Sequence, residues 1–192
     1  MNNRSEELKA IQKILIAKSS KDAALAYRKF VPGEMKIYGV RTPELTELAK
    51  QFKAGGFDLV EELWQAGALE EKILAAKILQ LIAKKDAARS LNLVVQFGPG
   101  IDNWAVCDAI GMQALQTIRK THQKEIFALA KKYNSSKNFW ERRLSLVLVE
   151  WYTREPSLHA EIKKLVKPLE NDPEYYVRKA VVWINKNFMK GK

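Results

Sequence analysis

Trp104 and Asp108 form the pair of residues whose types and spacing most favour chemistry in this chain. They lie four residues apart, so a helix here places an aromatic ring beside a carboxylate on one face. Both groups favour a positive charge next to them, the ring through its π electrons and the carboxylate through its own charge. A plainer interpretation is structural: Trp104 packs in the core, and Asp108 forms a salt bridge because a carboxylate among apolar neighbours needs a partner.

Arginines and lysines cluster in the second half of the chain, where they can bind either Asp108 or an external anion. The candidate salt-bridge partners of Asp108 are Arg142, Arg143 and Arg178. The stretch from Arg119 to Arg143 adds Lys120, Lys124, Lys131, Lys132, Lys137 and Arg142, against only Glu125 and Glu141. The whole chain has 33 Lys and Arg against 22 Asp and Glu, a formal charge of +11. This surplus indicates an acidic partner, either nucleic acid or an anionic membrane surface.

Composition argues against several other classes of protein. A single cysteine, Cys107, permits no internal disulfide and is expected to be a small buried hydrophobe rather than a nucleophile. With only His122 and His159 besides, we expect no metal site and no cofactor. We expect a cytoplasmic protein, because the chain has no apolar signal segment and no run of about 18 apolar residues. Its length predicts one domain over residues 1–192, and a monomer is the default expectation.

The elements that must position these residues are helices. Apolar residues recur at helical spacing between capping residues and Gly or Pro breaks, and no strand pattern stands out. The predicted helix starts lie near Ser5, Ser20, Thr42, Asp58, residue 69, Asp86, Asn103, Asn138 and Asp172. Thr42 and Asp172 are predicted N-caps because each precedes a proline, and Asp58 with Glu61 is predicted to form a capping box.

An aromatic residue opens each of three successive units. Trp104, Trp140 and Tyr176 are spaced 36 residues apart, and Arg142 and Arg178 share that spacing. A period of this length with two helices per unit is typical of a solenoid. We therefore predict an all-α fold of HEAT-like repeats that forms a curved α-solenoid, an α-α superhelix, with a basic concave face. Trp140 is expected to pack between repeats, since packing residues repeat in register.

Four of these positions resemble the pattern of the AlkD family of DNA glycosylases. That pattern has a Trp, an Asp four residues later, an Arg on the next repeat and a Trp on the last repeat. The matching residues are Trp104, Asp108, Arg143 and Trp183. The segment 38–45, Tyr-Gly-Val-Arg-Thr-Pro-Glu-Leu, is similar to the family's N-terminal helix start. The resemblance covers nearly the whole chain.

The resemblance implies an enzyme that excises cationic alkylated purines, such as 3-methyladenine and 7-methylguanine, from double-stranded DNA. Such bases leave without being protonated, so no general acid is needed. By resemblance, Asp108 stabilises the positive charge on the sugar, Trp104 and Trp183 flank it, and no tight base pocket is expected. Arg143 is expected to bind a phosphate. Further expected DNA contacts are Arg142, Arg178, Lys179, Arg41, Tyr27 and Tyr38.

Two departures from the family leave alternatives open. Asn103 stands where the family often has a second tryptophan, and only nine residues follow Trp183. One ring contact is therefore expected to be absent and the DNA surface shorter. A non-catalytic DNA-binding module for damaged or branched DNA is the main alternative. A helical scaffold for a protein partner is less favoured, because Lys and Arg concentrate on the helices that open each repeat.

Overall fold

Helices make up all the regular structure in a computed structural model that describes residues 5–190, without the side chain of Phe30. The first helices are α1 (Glu6–Ala17), α2 (Lys21–Phe30), α3 (Thr42–Phe52), α4 (Gly56–Ala66), α5 (Leu69–Ile82) and α6 (Ala87–Phe97). The others are α7 (Trp104–Asp108), α8 (Gln123–Asn134), α9 (Phe139–Val149), α10 (His159–Val166) and α11 (Tyr175–Met189). Short 3-10 turns extend several of them. The predicted all-α fold is confirmed.

The helices pack in two rows. In one row α3, α5, α7, α9 and α11 contact one another in chain order. In the other row α4 packs on α5 and α8 packs on α9, while α6, α8 and α10 contact in turn. Buried apolar side chains form a continuous cluster from Leu8 to Ile184. This arrangement is that of an α-solenoid of HEAT-like repeats, whose curvature and basic concave face stay predictions, as does the single domain over residues 1–192.

Capping residues place most of the helix starts where the sequence predicts them. The side chains of Ser5, Ser20, Asp86, Asn103 and Asn138 each accept a backbone N–H in the first turn of their helix. These five predictions are confirmed. Each cap determines which residue comes first in its helix, and Asn103 thereby makes Trp104 the first residue of α7.

Three predicted N-caps are wrong. α3 has its cap at Arg41, one residue before Thr42, where Glu44 accepts the Arg41 N–H at 3.2 Å. Asp58 lies inside the first turn of α4 and, together with Glu61, binds Arg89 instead of a helix end. α11 begins at Tyr175, because the carboxylate of Asp172 receives the Arg142 guanidinium and the N–H of Glu174.

A buried carboxylate holds the segment that contains the family-like motif. Glu70 is 1% exposed and accepts the N–H groups of Tyr38, Gly39 and Val40 at 3.0, 2.7 and 3.1 Å. Gly39 has φ +82°, and a Cβ there would lie 2.2 Å from the Ser20 carbonyl oxygen. Only glycine fits both the backbone angle and this close approach. The motif thus maintains the docking of 38–40 on α5.

Replacing Glu70 by Gln is expected to lower the free energy of unfolding by about 2–3 kcal/mol, because one of three buried N–H donors then faces an amide NH2. Urea unfolding followed by circular dichroism measures the change. The matched control is Glu47→Gln, since Glu47 is 72% exposed and contacts Lys50 on the surface. An equal urea midpoint for Glu70→Gln and the control would show that the buried carboxylate does not hold this segment.

Candidate functional site

An open cleft lies where α7, α9 and α11 meet. It encloses about 350 Å³ and is lined by Trp104, Asp108, Met112, Arg143, Tyr176, Lys179 and Trp183. The structure therefore brings together the four residues of the family-like pattern and Lys179, although they are spread over 80 residues of sequence. The cleft is open to solvent, so a group attached to a large partner could reach it.

Local structure places Trp104 and Asp108 side by side. Asn103 is fully buried, and its Oδ1 accepts the Val106 N–H at 3.0 Å, so α7 starts at Trp104 and Asp108 follows one turn later. After Asp108 the helix continues as a π-helix over Ala109–Ala114, an irregularity that is common near functional sites. A Cβ at Gly111 would lie 2.6 Å from Val147 Cγ1, so the glycine lets α9 approach the π-helix closely.

The Arg143 guanidinium joins the three helices at the base of the cleft. Its Nη2 and Nε donate to Asp108 Oδ1 at 2.8 and 3.2 Å, and its Nη1 donates to the Tyr176 carbonyl oxygen at 2.7 Å. The Arg143 side chain is 8% exposed and that of Asp108 is 23% exposed. Both contacts to Asp108 fall on one carboxylate oxygen, and the guanidinium orients that carboxylate.

Burial dominates the ionisation of Asp108. It raises the pKa of the Asp108 carboxyl above the ordinary value, while the charge and hydrogen bonds of Arg143 act in the opposite direction. The arginine therefore favours the charged form of a carboxyl whose surroundings favour the neutral form. Burial also raises the pKa of the adjacent Cys107 thiol, which is fully buried, as expected for a structural cysteine.

The three tryptophans in and beside the cleft are of two kinds. Trp104 and Trp183 are half-buried, pack against the core with one part and line the cleft with another. Trp140 is buried, and its ring centre lies 4.7 Å from that of Phe139 and 5.0 Å from that of Tyr176. The prediction that Trp140 packs between repeats is confirmed.

Arg142 and Arg178 make the same contacts one repeat apart. Arg142 Nη1 donates to the carbonyls of Ser136 and Lys137, and Arg178 Nη1 donates to those of Asp172 and Pro173. In each case the acceptors lie six and five residues before the arginine. Arg142 also forms a two-point ion pair with Asp172, at 2.6 and 3.0 Å. These contacts explain the spacing of 36 residues, because each arginine holds the loop before its own helix.

The N-terminal candidates do not line the cleft. Tyr38 is buried and its hydroxyl donates to Glu71 at 2.9 Å, while the half-buried Tyr27 donates to the Val40 carbonyl at 3.3 Å. Arg41 is exposed at the start of α3. A role of these three residues in DNA binding stays a prediction.

Three residues of the site were not predicted to belong to it. Met112 and Tyr176 line the cleft, and Asn103 places Trp104. Met112 follows Asp108 by four residues and could have been found from helical spacing. Tyr176 was expected only as a packing residue. Asn103 caps α7 from a buried position, so the amide at this departure from the family stabilises the helix that carries the carboxylate.

Within residues 5–190, His, Cys, Asp and Glu side chains form no group of three or more that could hold a metal ion. In the same range, no helix is long and apolar enough to cross a membrane.

Comparisons with known proteins agree with the fold. The family model described as DNA alkylation repair enzyme matches residues 11–189. Among solved structures, the chain is similar to a predicted DNA alkylation repair enzyme from Enterococcus faecalis, with a TM-score of 0.75 and 18% sequence identity. That match covers 91% of this chain and 84% of the other. No curated protein matches the chain significantly.

Proposed function

Because the chain belongs to the DNA alkylation repair enzyme family, we propose that it is a DNA glycosylase for cationic alkylated purines. Its substrates are 3-methyladenine and 7-methylguanine in duplex DNA, and its reaction is the first step of base excision repair. The observation that carries the proposal is the Asp108 carboxylate, oriented by Arg143 in an open cleft between Trp104 and Trp183. We propose that it acts as a monomer in the cytoplasm.

The substrate determines what the protein must supply. An alkylated purine of this kind is already positively charged, so the bond from its N9 to the sugar C1′ can break with the electron pair going to the base. Positive charge then develops on the sugar, and a water molecule adds to C1′ and loses a proton. The protein must stabilise that charge. A carboxylate in a partly desolvated site does so electrostatically.

Each side chain of the cleft has a proposed role in this reaction. Asp108, in its ionised form, lies against the developing charge and helps to orient the water. Trp104 and Trp183 present ring faces to the same cationic group. Arg143 positions Asp108 through its two hydrogen bonds and adds positive charge toward a phosphate. The cleft is open rather than enclosed, which suits a reaction in which the damaged base does not enter a tight pocket.

DNA binding is proposed to rest on the positive charge of the chain. Lys179 lines the cleft beside Trp183, and its Nζ lies 5.1 Å from the centre of the Tyr175 ring. Arg142 and Arg178, which hold the loops at the starts of α9 and α11, are further proposed DNA contacts. A formal charge of +11 supports salt-dependent binding to the phosphate backbone.

The test is release of free base from DNA by the purified protein. Duplex DNA that carries 3-methyladenine and 7-methylguanine is expected to lose both bases, as measured by chromatography. A matched duplex that carries hypoxanthine, a neutral lesion, is expected to remain intact because the cleft supplies no acid for the leaving base.

Two outcomes would contradict the proposal. Tight, salt-dependent DNA binding without release would favour the non-catalytic DNA-binding module, in which the pairing of Asp108 with Arg143 is only structural. Equal release of hypoxanthine and 3-methyladenine would show that the protein protonates the leaving base.

A further inference from the structure

A second pocket adjoins the cleft. It encloses about 220 Å³ and lies beside the π-helix and the end of α9. Met112 lines both this pocket and the cleft, so the two adjoin. Arg119 follows Asp108 by 11 residues, and Arg154 follows Arg143 by 11 residues. The pocket therefore lies beside the segments that follow Asp108 and Arg143 in the chain.

Positive charge in this pocket exceeds negative charge. Arg119 and Arg154 line it, and Glu150 is its acidic residue. Within residues 5–190, no carboxylate lies within 4.0 Å of either guanidinium. Glu150 instead accepts the amide N–H of Asn187 at 2.6 Å. The two arginines are thus available to an external anion.

The arginines are held in place for such an anion. The Arg119 guanidinium carbon lies 3.8 Å from the centre of the Trp151 ring, so the side chain is stacked rather than free in solvent. Burial and the neighbouring charge of Arg154 lower the pKa of Arg119, and burial raises the pKa of Glu150. The lowered pKa of Arg119 is the effect expected where a second cation lies close by. The charges of Arg119 and Arg154 act against burial on the pKa of Glu150, which offsets part of their charge.

We propose that Arg119 and Arg154 form a second phosphate-binding site, which anchors the DNA backbone away from the damaged nucleotide. This inference rests on the proposed function. A guanidinium presents paired donors that match phosphate oxygens. The pocket and the cleft share Met112 in their linings, so the two lie only a few base-pair steps apart along a duplex. A duplex whose damaged nucleotide lies in the cleft therefore reaches the pocket.

The site acts on binding rather than on the reaction. A phosphate contact far from the sugar is equally strong before and during bond breaking, so its loss raises KM and leaves kcat unchanged. Removing one phosphate contact also lowers the slope of log affinity against log salt by about 0.9. A residue that only supported the fold would not change this slope.

The experiment compares two variants with the same loss of charge. The first is Arg119→Gln with Arg154→Gln, and the control is Lys131→Gln with Lys132→Gln, two exposed residues of α8. Fluorescence anisotropy measures binding to an undamaged duplex over a range of salt concentrations. Arg154→Gln alone, at an exposed residue, serves if the double variant does not fold.

We expect the arginine variant to bind about tenfold more weakly than the control variant, with a lower salt slope. Equal affinity and an equal salt slope for the arginine variant and the control variant would overturn the proposal. Failure of the wild type to release bases would contradict the glycosylase function alone, because binding is measured on undamaged DNA.

Discussion

Asp108→Asn is expected to slow release of 3-methyladenine by about 100- to 1000-fold while DNA affinity stays close to that of the wild type. The amide has nearly the same size and still accepts a hydrogen bond from Arg143, so the cleft keeps its shape. What it lacks is the negative charge that stabilises the sugar cation. The measurement is the single-turnover rate of base release, together with the dissociation constant of the same duplex.

The matched control is Asp22→Asn. This carboxylate is exposed in the first turn of α2 and does not line the cleft. The control should release bases at the wild-type rate. Unchanged base release by Asp108→Asn would remove Asp108 from the mechanism. Slow release by both variants would indicate a general effect of removing one negative charge from the protein.

Arg143→Met is expected to have the second largest effect, a loss of about 100-fold in base release at pH 7. Without the guanidinium, the Asp108 carboxylate loses its two hydrogen-bond donors and the cation that opposes the effect of burial. The pKa of Asp108 then rises further. Because catalysis needs the charged form of Asp108, base release by the variant should recover in part as the pH is raised. The acid limb of its pH profile should lie at a higher pH than that of the wild type.

The same substitution is expected to destabilise the fold. Removing one partner of a buried ion pair costs about 3–5 kcal/mol, since the remaining charge is left unpaired. Arg143→Lys separates folding from catalysis, because it keeps a cation near Asp108 while losing the fixed donor geometry. A lysine variant with the wild-type pH profile and wild-type rate would show that orientation by Arg143 is unnecessary.

Local signals predicted most helices because the capping residue and its acceptor are only a few residues apart. Asn103 and Asn138 illustrate this, since each accepts an N–H of the helix that it begins. The signal failed where a distant partner took the same side chain. Asp172 binds Arg142, 30 residues away, and Asp58 binds Arg89, 31 residues away. No window of local sequence contains these competitors.

The site was predictable in its residues and not in its contacts. The spacing of Trp104 and Asp108 places them together on any helix, and the resemblance added Arg143 and Trp183. The sequence left three arginines as partners of Asp108. Adjacent residues of a helix point about 100° apart, so only one of Arg142 and Arg143 can face α7. Packing selects Arg143, because Gly111 allows α9 to approach, at Val147, the π-helix that continues α7.

The N-terminal motif shows the opposite limit. Its likeness to the family was visible in residues 38–45, whereas its physical reason was not. Glu70, some 30 residues later, accepts the backbone N–H groups of this segment, and Tyr38 is buried beneath it. A partner that binds backbone leaves no pattern in the types of the residues it binds. These contacts explain the motif at residues 38–40 by folding, and a DNA contact of the exposed Arg41 stays a prediction.

The wild-type pH profile of base release tests the central claim most directly. Release of 3-methyladenine, whose charge is fixed by alkylation, is measured with the protein in excess between pH 5 and pH 9. An ionised Asp108 without a general acid predicts a rate that rises with pH or is already level, and that does not fall again at high pH. A rate that falls as pH rises would reveal an essential acid and contradict the account, as would no release of 3-methyladenine at any pH.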